Sequence, residues 1–315
     1  MLDLVGKRHY FFLLSLLVTV PGVISLLIPP ALRLGIDFTS GTTMTLRFQR
    51  PVGLADLRAA FADLGHPDAI IQVTGGGDFI VRTRPLSELE GGAGEESARS
   101  RLMEALQGRF GPVEVLDFAT ISPVVAAETV RNSALAVAAA SAGILLYLTL
   151  AFRSVRHPLR YGVCAVVALL HDALVVIGVF SILGKISGLE VDTLFITALL
   201  TVIGFSVHDT IVVFDRIREN ARRLPGADFP SVVNYSLLQT IGRSLNTSLT
   251  VIFTLTALLL FGGVTIRSFV LALLIGIVSG TYSSIFNASM LLVAWNEGDF
   301  GRLTRRLFRP ALTGG

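Results

Sequence analysis

Two ionisable residues lie in or beside stretches of this chain that otherwise have the composition of membrane-spanning helices. Asp209 lies within TVIGFSVHDTIVVFDRIREN, and Arg243 lies near the start of QTIGRSLNTSLTVIFTLTALLLFGG. An ionisable side chain inside a membrane is costly, so its presence indicates a functional site by default. Because a carboxyl group can take up and release a proton while an arginine stays charged, the pair predicts proton handling.

Three further polar residues are candidates for the same proton pathway. His208 precedes Asp209, and His171 and Asp172 are adjacent within another apolar stretch. A structural role stays open as the alternative for each of these residues. Asp209 and Arg243 could form an ion pair that fastens consecutive helices, and Asp172 and His208 could be polar side chains that hydrogen-bond to a neighbouring helix. Neighbouring residues point about 100° apart on a helix, so His208 and Asp209 need not share a partner.

The chain offers no pattern for a cofactor, a metal ion or a nucleophilic catalyst. Its five histidines are scattered and Cys164 is its only cysteine, so the ligand spacing of a metal site is missing. The TGGGD run lacks the Lys-Ser/Thr that follows in a phosphate-binding loop, and a hairpin turn is predicted instead. We expect no enzyme active site and no cofactor, with protons as the coupling ion.

The composition is that of a membrane protein. Hydrophobic residues make up 52% of the chain and charged residues 16%, against roughly 25% charged residues in an average soluble domain. A spanning helix needs about 20 mostly apolar residues. Segments of that kind predict six transmembrane helices near 10–30, 132–152, 161–186, 193–214, 241–263 and 269–295. The first is predicted to be a retained anchor, because no small-x-small cleavage site follows it.

Basic residues cluster in segments that lie on one side of the membrane if the six spans alternate. They are Lys7 and Arg8; Arg153, Arg156 and Arg160; Arg216, Arg218, Arg222 and Arg223; and Arg302, Arg305, Arg306 and Arg309. The positive-inside rule then places both termini in the cytoplasm and the long segment after the first span outside. The net charge of +3 is small, and nucleic acid binding is not implied.

The long segment between the first two spans has the pattern of a separate α+β domain. Strand and helix patterns alternate there in the order β-α-β-β-α-β, which predicts a ferredoxin-like domain with helices on one face of a small sheet. The run LSELEGGAGEE is predicted to be its most mobile loop. We therefore divide the chain into an N-terminus with helix 1 (1–32), an external domain (33–125), helices 2–6 (126–298) and a basic cytoplasmic tail (299–315).

Small and polar residues form stripes on two of the predicted spans. Thr197, Thr201 and Gly204 recur at helical spacing on span four, and Gly280 and Ser284 do so on span six, where Asn287 adds a hydrogen-bonding group. Such stripes are typical of close helix packing in membranes. Packing is the expected role, and a water-lined proton path is the alternative.

Several long motifs resemble the SecD/SecF family of protein-export membrane proteins, which belongs with the RND superfamily of transporters. After the first span, LGIDFTSGTTM resembles the family's entry motif at Gly35, Ile36, Asp37, Phe38, Gly41 and Thr42. Further matches are TISPVVAAETVRNSALAVAAA, ALLHDALVVIGVFSI, SLNTSLT and GTYSSIFNAS. The length and single set of six spans fit the family's SecF type, as opposed to the larger SecD or a fused SecDF. Two positions depart from the family pattern: His208 replaces an Asn, and Ser40 stands where a Gly is common.

The resemblance implies a function in protein export. It implies a subunit of the Sec translocon that works with SecD and uses the proton motive force to assist late steps of export across the bacterial plasma (inner) membrane. Implied partners are SecD, the SecYEG channel, an unfolded preprotein and membrane lipid, with YajC, YidC and SecA as further candidates. By the same resemblance Asp209 is the proton-carrying acid and Arg243 its partner. The alternatives are a non-conducting assembly subunit of the translocon and an RND-type small-molecule efflux subunit.

Overall fold

A computed structural model of the chain describes residues 2–86, 98–155, 157–263 and 266–299. The chain divides into two compact units, one formed by residues 1–33 and 135–315 and the other by residues 34–134. Most of the loop predicted at 86–96, Arg156 and all but Asp299 of the predicted basic tail lie outside the described residues.

The elements follow one another along the chain in a mixed order of helices and strands. They are α1 (Arg8–Leu27), α2 (Ile36–Thr39), β1 (Gly41–Phe48), α3 (Leu54–Asp63), β2 (Ile70–Val73), β3 (Phe79–Thr83), α4 (Ala98–Phe110), β4 (Val113–Ile121), α5 (Pro123–Ala151), α6 (Pro158–Ser187), α7 (Thr193–Arg223), α8 (Phe229–Phe261), α9 (Arg267–Tyr282), a π-helical turn (Ser283–Asn287) and α10 (Ala288–Asn296).

Six of the described helices are long and apolar enough to cross a membrane, which confirms the predicted number of spans. They are α1, α5, α6, α7, α8 and the segment Arg267–Asn296, in which α9, the π-helical turn and α10 run on from one another. The helices α7 and α8 extend well beyond the apolar stretches predicted at 193–214 and 241–263. Each begins at an aspartate that caps it: the side chain of Asp192 accepts a hydrogen bond from the Phe195 backbone N–H, and that of Asp228 accepts one from Ser231.

The spans of the helical unit differ in burial. About half of the residues in the most apolar parts of α6, α7 and Arg267–Asn296 are buried, whereas few are buried in those of α1, α5 and α8. Gly276 lets α9 approach α7 closely, because a Cβ at this position would lie 2.2 Å from a methyl carbon of Val202. The core of this unit is therefore built mainly from α6, α7 and the span Arg267–Asn296, and these helices carry most of the candidate site.

The other unit is built on a four-stranded antiparallel sheet in the order β2-β3-β1-β4. Its hydrophobic core joins Met44 and Val81 on the sheet to Leu57 and Phe61 on α3 and Leu106 on α4, all of which are buried. The element order and strand order are those of the ferredoxin-like arrangement. The predicted fold class, a six-span helical membrane protein with one small α+β domain, is confirmed. The unit extends to Ala134, and so includes the start of α5, which the predicted domain 33–125 left out.

Candidate functional site

Asp172 lies at the centre of a cluster of hydroxyl groups in the core of the helical unit. It is about 21 Å along α6 from Pro158, near the middle of that helix, and only 1% of it is exposed. Ser206 on α7 and Ser283 on the π-helical turn donate hydrogen bonds to its Oδ2 at 2.7 and 2.5 Å. Ser279 on α9 donates to its Oδ1 at 2.8 Å. Three hydroxyl donors from two other helices thus satisfy the carboxylate and connect α6 to both.

His171 extends this cluster towards one side. Its Nδ1 lies 3.2 Å from Oδ1 of Asp172 and donates to it when the ring carries a proton there. Its Nε2 is buried and has no hydrogen-bond partner among the residues that the structure describes. Because serine hydroxyls and an imidazole each donate and accept, the cluster has the groups needed to pass a proton between them.

Asp209 lies on the same side of α7 as Ser206, three residues further along the helix. It is about 24 Å from Thr193, where α7 begins. Only 3% of the residue is exposed, and its Oδ2 is buried without a hydrogen-bond partner. Asp209 also has no cationic partner within 4 Å in the described part of the chain. The two intramembrane aspartates therefore differ: the carboxylate of Asp172 is held by donors, and Oδ2 of Asp209 is not.

Arg243 and His208 are the charged or titratable groups that interact electrostatically with Asp209. Both are exposed on the surface of the helical unit. The direct ion pair between Asp209 and Arg243 that was one alternative is absent between these two described residues, because no nitrogen–oxygen distance of 4 Å or less joins them. The structure thus brings Arg243 into the neighbourhood of Asp209 without a contact that would fix either side chain.

The two predicted stripes occupy different environments. On α9, Gly280 faces the core, since a Cβ there would lie 3.2 Å from Ser206 and 3.6 Å from Asp172. Ser284 and Asn287 are buried as well, and Oδ1 of Asn287 accepts a hydrogen bond of 2.8 Å from Ser15 on α1.

The stripe on α7 faces away from the helices of its own unit. Thr197, Thr201 and Gly204 are exposed, and a Cβ at Gly204 would meet nothing within 4 Å. These three residues therefore do not pack the described helices of this chain against one another, and their role in helix packing stays a prediction. The buried residues Val202, Ser206 and Asp209 lie on a different face of α7, and the spacing of the stripe did not show which of the two faces is buried.

The motif after the first span forms the entry to the sheet of the second unit. Gly35 precedes α2, which contains the buried Ile36 with Asp37 and Phe38. Gly41 has a φ of 133°, and a Cβ there would lie 2.8 Å from the carbonyl oxygen of Thr83, so only glycine fits. The hydroxyl of Thr42 accepts from the Leu86 backbone N–H and pairs with that of Thr120.

Ser40 adopts a backbone conformation that favours glycine. Its φ of 63° is positive, which is uncommon for residues other than glycine. Ser40, predicted to replace a glycine of the entry motif, thus has a side chain in a backbone conformation that suits glycine better.

Ser206 and Ser279 are site residues that sequence reasoning did not single out. Both donate to Asp172. The available signal was their spacing: Ser279 lies four residues before Ser283 on one face of a helix, and Ser206 lies three residues before Asp209. Of the five residues predicted to form a proton pathway, His171 and Asp172 lie together in the serine cluster, and Asp209 lies one turn of α7 from Ser206 with His208 and Arg243 nearby. That these residues form one pathway stays a prediction.

Comparisons with known proteins match both units. The family described as "Protein export membrane protein SecD/SecF, C-terminal" matches residues 102–298, and the "SecD/SecF GG Motif" matches residues 30–52. The chain is 55% identical to the protein translocase subunit SecF of Thermobaculum terrenum over 97% of this chain and 98% of that protein. It is 38% identical to the protein translocase subunit SecDF of Bacillus subtilis, covering 93% of this chain and 38% of that protein.

A solved structure has the same fold. The crystal structure of SecDF, a translocon-associated membrane protein from Thermus thermophilus, matches with a TM-score of 0.79 and 36% identity, covering 94% of this chain and 39% of that chain. The chain thus corresponds to part of a longer fused protein and, over nearly its full length, to separate SecF subunits. By its fold, its entry motif and its identity to these relatives, the chain belongs to the SecD/SecF family of protein-export membrane proteins.

Proposed function

We propose that this chain is a SecF-type subunit that, with SecD, uses the proton motive force to assist late steps of protein export across the bacterial plasma membrane. The names of its relatives and the match to SecDF support a role in export. The clustering of basic residues beside alternate spans supports cytoplasmic termini and an outward-facing unit of residues 34–134. The coupling ion is the proton.

The proton-coupling proposal rests on one observation, the lack of a hydrogen-bond donor, among the described residues, at the buried Oδ2 of Asp209. A buried carboxylate is normally held by donors or paired with a cation. Asp172 follows that rule, and Oδ2 of Asp209 has no donor. Taking up a proton at this oxygen breaks no hydrogen bond, whereas protonation of Asp172 would disturb the set of three serines. Asp209 is therefore the residue that can exchange a proton during each cycle.

Arg243 supplies a positive charge that favours the deprotonated form of Asp209 without locking it in an ion pair. We propose that proton entry from the outer side and release to the cytoplasm change this interaction and shift α7 relative to α8. Moving one charge across 100 mV supplies about 2.3 kcal/mol. That is comparable to the few kcal/mol that separate two conformations of a protein. The shift would then be passed to the outward-facing unit, which we propose holds the emerging preprotein.

We propose that SecD is the partner that covers the exposed faces of α7 and α8. The threonine hydroxyls on both faces donate to carbonyls of their own helix, so they can remain in an apolar setting. His208 and Arg243 are exposed and make no such bond, and leaving them against lipid is costly. A fused SecDF places a SecD part in the same chain as a segment similar to this one. SecYEG and the preprotein, with YajC, YidC and SecA, are the wider set of proposed partners.

The test is export of a secreted reporter in cells that lack the native subunit and carry this chain or a variant at matched membrane levels. We expect Asp209→Asn to assemble with SecD and to lose the part of export that depends on the proton motive force. Asp215→Asn is the matched control, because Asp215 lies on the same helix but is 54% exposed and pairs with Arg218. Normal export by Asp209→Asn would remove the acid from the mechanism.

A second candidate function is a non-conducting subunit that stabilises SecD and the channel. The exposed polar faces of α7 and α8 favour it, since a partner-binding surface needs no proton transfer. The same experiment separates the two functions. An assembly subunit tolerates Asp209→Asn and fails only when the association with SecD is lost.

A further inference from the structure

An apolar groove runs along the outside of the helical unit between α6 and α10. Its volume is about 680 Å³, and its walls include Val163, Cys164 and Val167 from α6 and Leu291 from the last helix. Arg160 and Trp295 line it as well, with the guanidinium carbon of Arg160 5.9 Å from the centre of the indole ring. The groove thus has apolar walls along one helix and one positive charge near the start of that helix.

A second cavity shares Arg160 with the groove. It measures about 330 Å³, and its mixed lining combines apolar side chains with the polar and basic residues His157, Arg218, Arg222 and Ser154. Three arginines from α6 and α7 therefore surround a space large enough for a small charged group, directly beside the apolar groove.

The positive charge of this cavity is only partly neutralised. Arg218 pairs with the exposed Asp215, and Arg222 donates a hydrogen bond of 2.9 Å to the hydroxyl of Ser154. Within the described ranges, neither Arg160 nor Arg222 has a carboxylate within 4 Å. The cavity also lies at the N-terminus of α6, where His157 makes no side-chain capping bond, so the positive end of the helix adds to its charge.

We propose that the groove and the cavity together bind one anionic phospholipid. Its phosphate lies among Arg160, Arg218 and Arg222, and an acyl chain lies along the groove beside Trp295. An apolar channel with cationic groups at one end fits an amphiphile better than a soluble anion or an apolar helix. Basic pockets between spanning helices and tryptophans at the membrane boundary are both typical of contact with lipid head groups. The site goes beyond the proposed export function and does not depend on Asp209.

The chain carries its own probe for this site. Trp295 is the only tryptophan and is 37% exposed, so bromine atoms on a bound acyl chain would quench its fluorescence. The experiment reconstitutes the full chain in phosphatidylcholine vesicles and replaces part of the lipid with brominated phosphatidylglycerol or brominated phosphatidylcholine. We expect half-maximal quenching at a several-fold lower mole fraction of the brominated phosphatidylglycerol.

Variants then locate the head group. Arg222→Gln should lower the preference for phosphatidylglycerol about fivefold, as expected for one arginine near a phosphate, without touching Trp295. Arg160→Gln should do the same, but it also changes the surroundings of the indole. Arg223→Gln is the control: it removes the same charge from the same helix end, while Arg223 pairs with Glu219 and does not line either cavity.

Three results would overturn the proposal. They are equal quenching by the two brominated lipids, quenching by neither, and a loss of preference in Arg223→Gln as large as in Arg222→Gln. A fourth result would also overturn it: if millimolar glycerol phosphate abolished the preference for brominated phosphatidylglycerol, the site would recognise a soluble anion instead of a lipid. The measurement does not involve export, so its failure would leave the proposed function standing.

Discussion

Ser283, the first residue of the π-helical turn, donates a hydrogen bond of 2.5 Å to Oδ2 of Asp172 on α6. Ser279, four residues earlier, donates to the other oxygen of the same carboxylate. Both serines lie on one face of the last span, and α7 completes the set through Ser206. Single π-helical turns often occur at functional sites. Here the turn begins where the last span contacts the buried acid.

Removing the hydroxyl of Ser283 should destabilise the helical unit. In Ser283→Ala, Oδ2 of Asp172 loses one of two serine donors inside the core, and a lost hydrogen bond to a charged group costs about 1.5–3 kcal/mol. We expect a lower thermal unfolding midpoint in detergent, measured by the fluorescence of Trp295. Ser284→Ala is the control, because the hydroxyl of Ser284 is equally buried but donates only to the carbonyl of Thr281. Equal midpoints for the two variants would contradict a special role of the Asp172 cluster.

Gly22 on α1 and Gly178 on α6 provide a test of how the first span is attached. A Cβ at Gly178 would lie 2.7 Å from the Cα of Gly22, so the two backbones touch. Gly178→Ala should force α1 away from α6 and cost about 1–3 kcal/mol, as overpacking does. The unfolding midpoint in detergent measures this. Gly204→Ala should leave the midpoint unchanged or raise it, because open space surrounds Gly204 and alanine favours a helix.

Much of this fold could be predicted from the sequence because the patterns that indicate it extend over many residues. Six apolar stretches predict six spans, and the alternating pattern between the first two predicts the element order of the sheet unit. The serine cluster could not be predicted in the same way. A serine in a span can donate to a backbone carbonyl of the same helix, as Ser141 does on α5. The presence of a serine in a span therefore does not show that it donates to a carboxylate on another helix.

The serine contacts to Asp172 that the sequence did not predict depend on how helices that are distant in sequence pack together. Ser279 reaches Asp172 where Gly276 and Gly280 let α9 approach closely: a Cβ at Gly276 would lie 2.2 Å from Val202 on α7, and one at Gly280 would lie 3.6 Å from Asp172 on α6. The face of α7 that carries Thr197 and Thr201 shows the converse. Its spacing predicted helix packing, but the spacing does not indicate that no helix of the described unit covers this face.

That uncovered face predicts where SecD binds. In Gly204→Leu a large side chain enters a surface that is open in this chain, so the unfolding midpoint of the isolated protein should not fall. Close approach of a partner helix would be blocked, and we expect SecD to be lost from the complex when the tagged variant is purified from membranes. Gly143→Leu on α5 is the control, since Gly143 is also exposed with nothing within 4 Å. Full recovery of SecD with Gly204→Leu would place the contact elsewhere.

The sheet unit should become less stable in mildly acidic solution because of His66. Burial, with a smaller effect from the charge of Arg84, lowers the pKa of His66 below its usual value, and its Nδ1 lies 2.9 Å from the hydroxyl of Thr83 on β3. The unfolded chain therefore takes up a proton at a higher pH than the folded one, and stability is lost as the pH falls below about 6.5. Hydrogen exchange of the β3 amides in the full chain should be faster at pH 5.5 than at pH 7.5, after correction for intrinsic rates.

His66→Gln should remove most of this difference between the two pH values, because glutamine does not titrate. Asp78 provides the contrast within the same unit. Arg47 holds the pKa of the Asp78 carboxyl below its usual value through hydrogen bonds of 2.7 and 2.9 Å. The contribution of Asp78 is therefore complete above about pH 4 and is lost only as the pH falls further. Compared with the unchanged protein, Asp78→Asn should lower the protection of the amides by the same factor at pH 7.5 and at pH 5.5. If the loss caused by this substitution differed between the two pH values, His66 would not be the group that titrates.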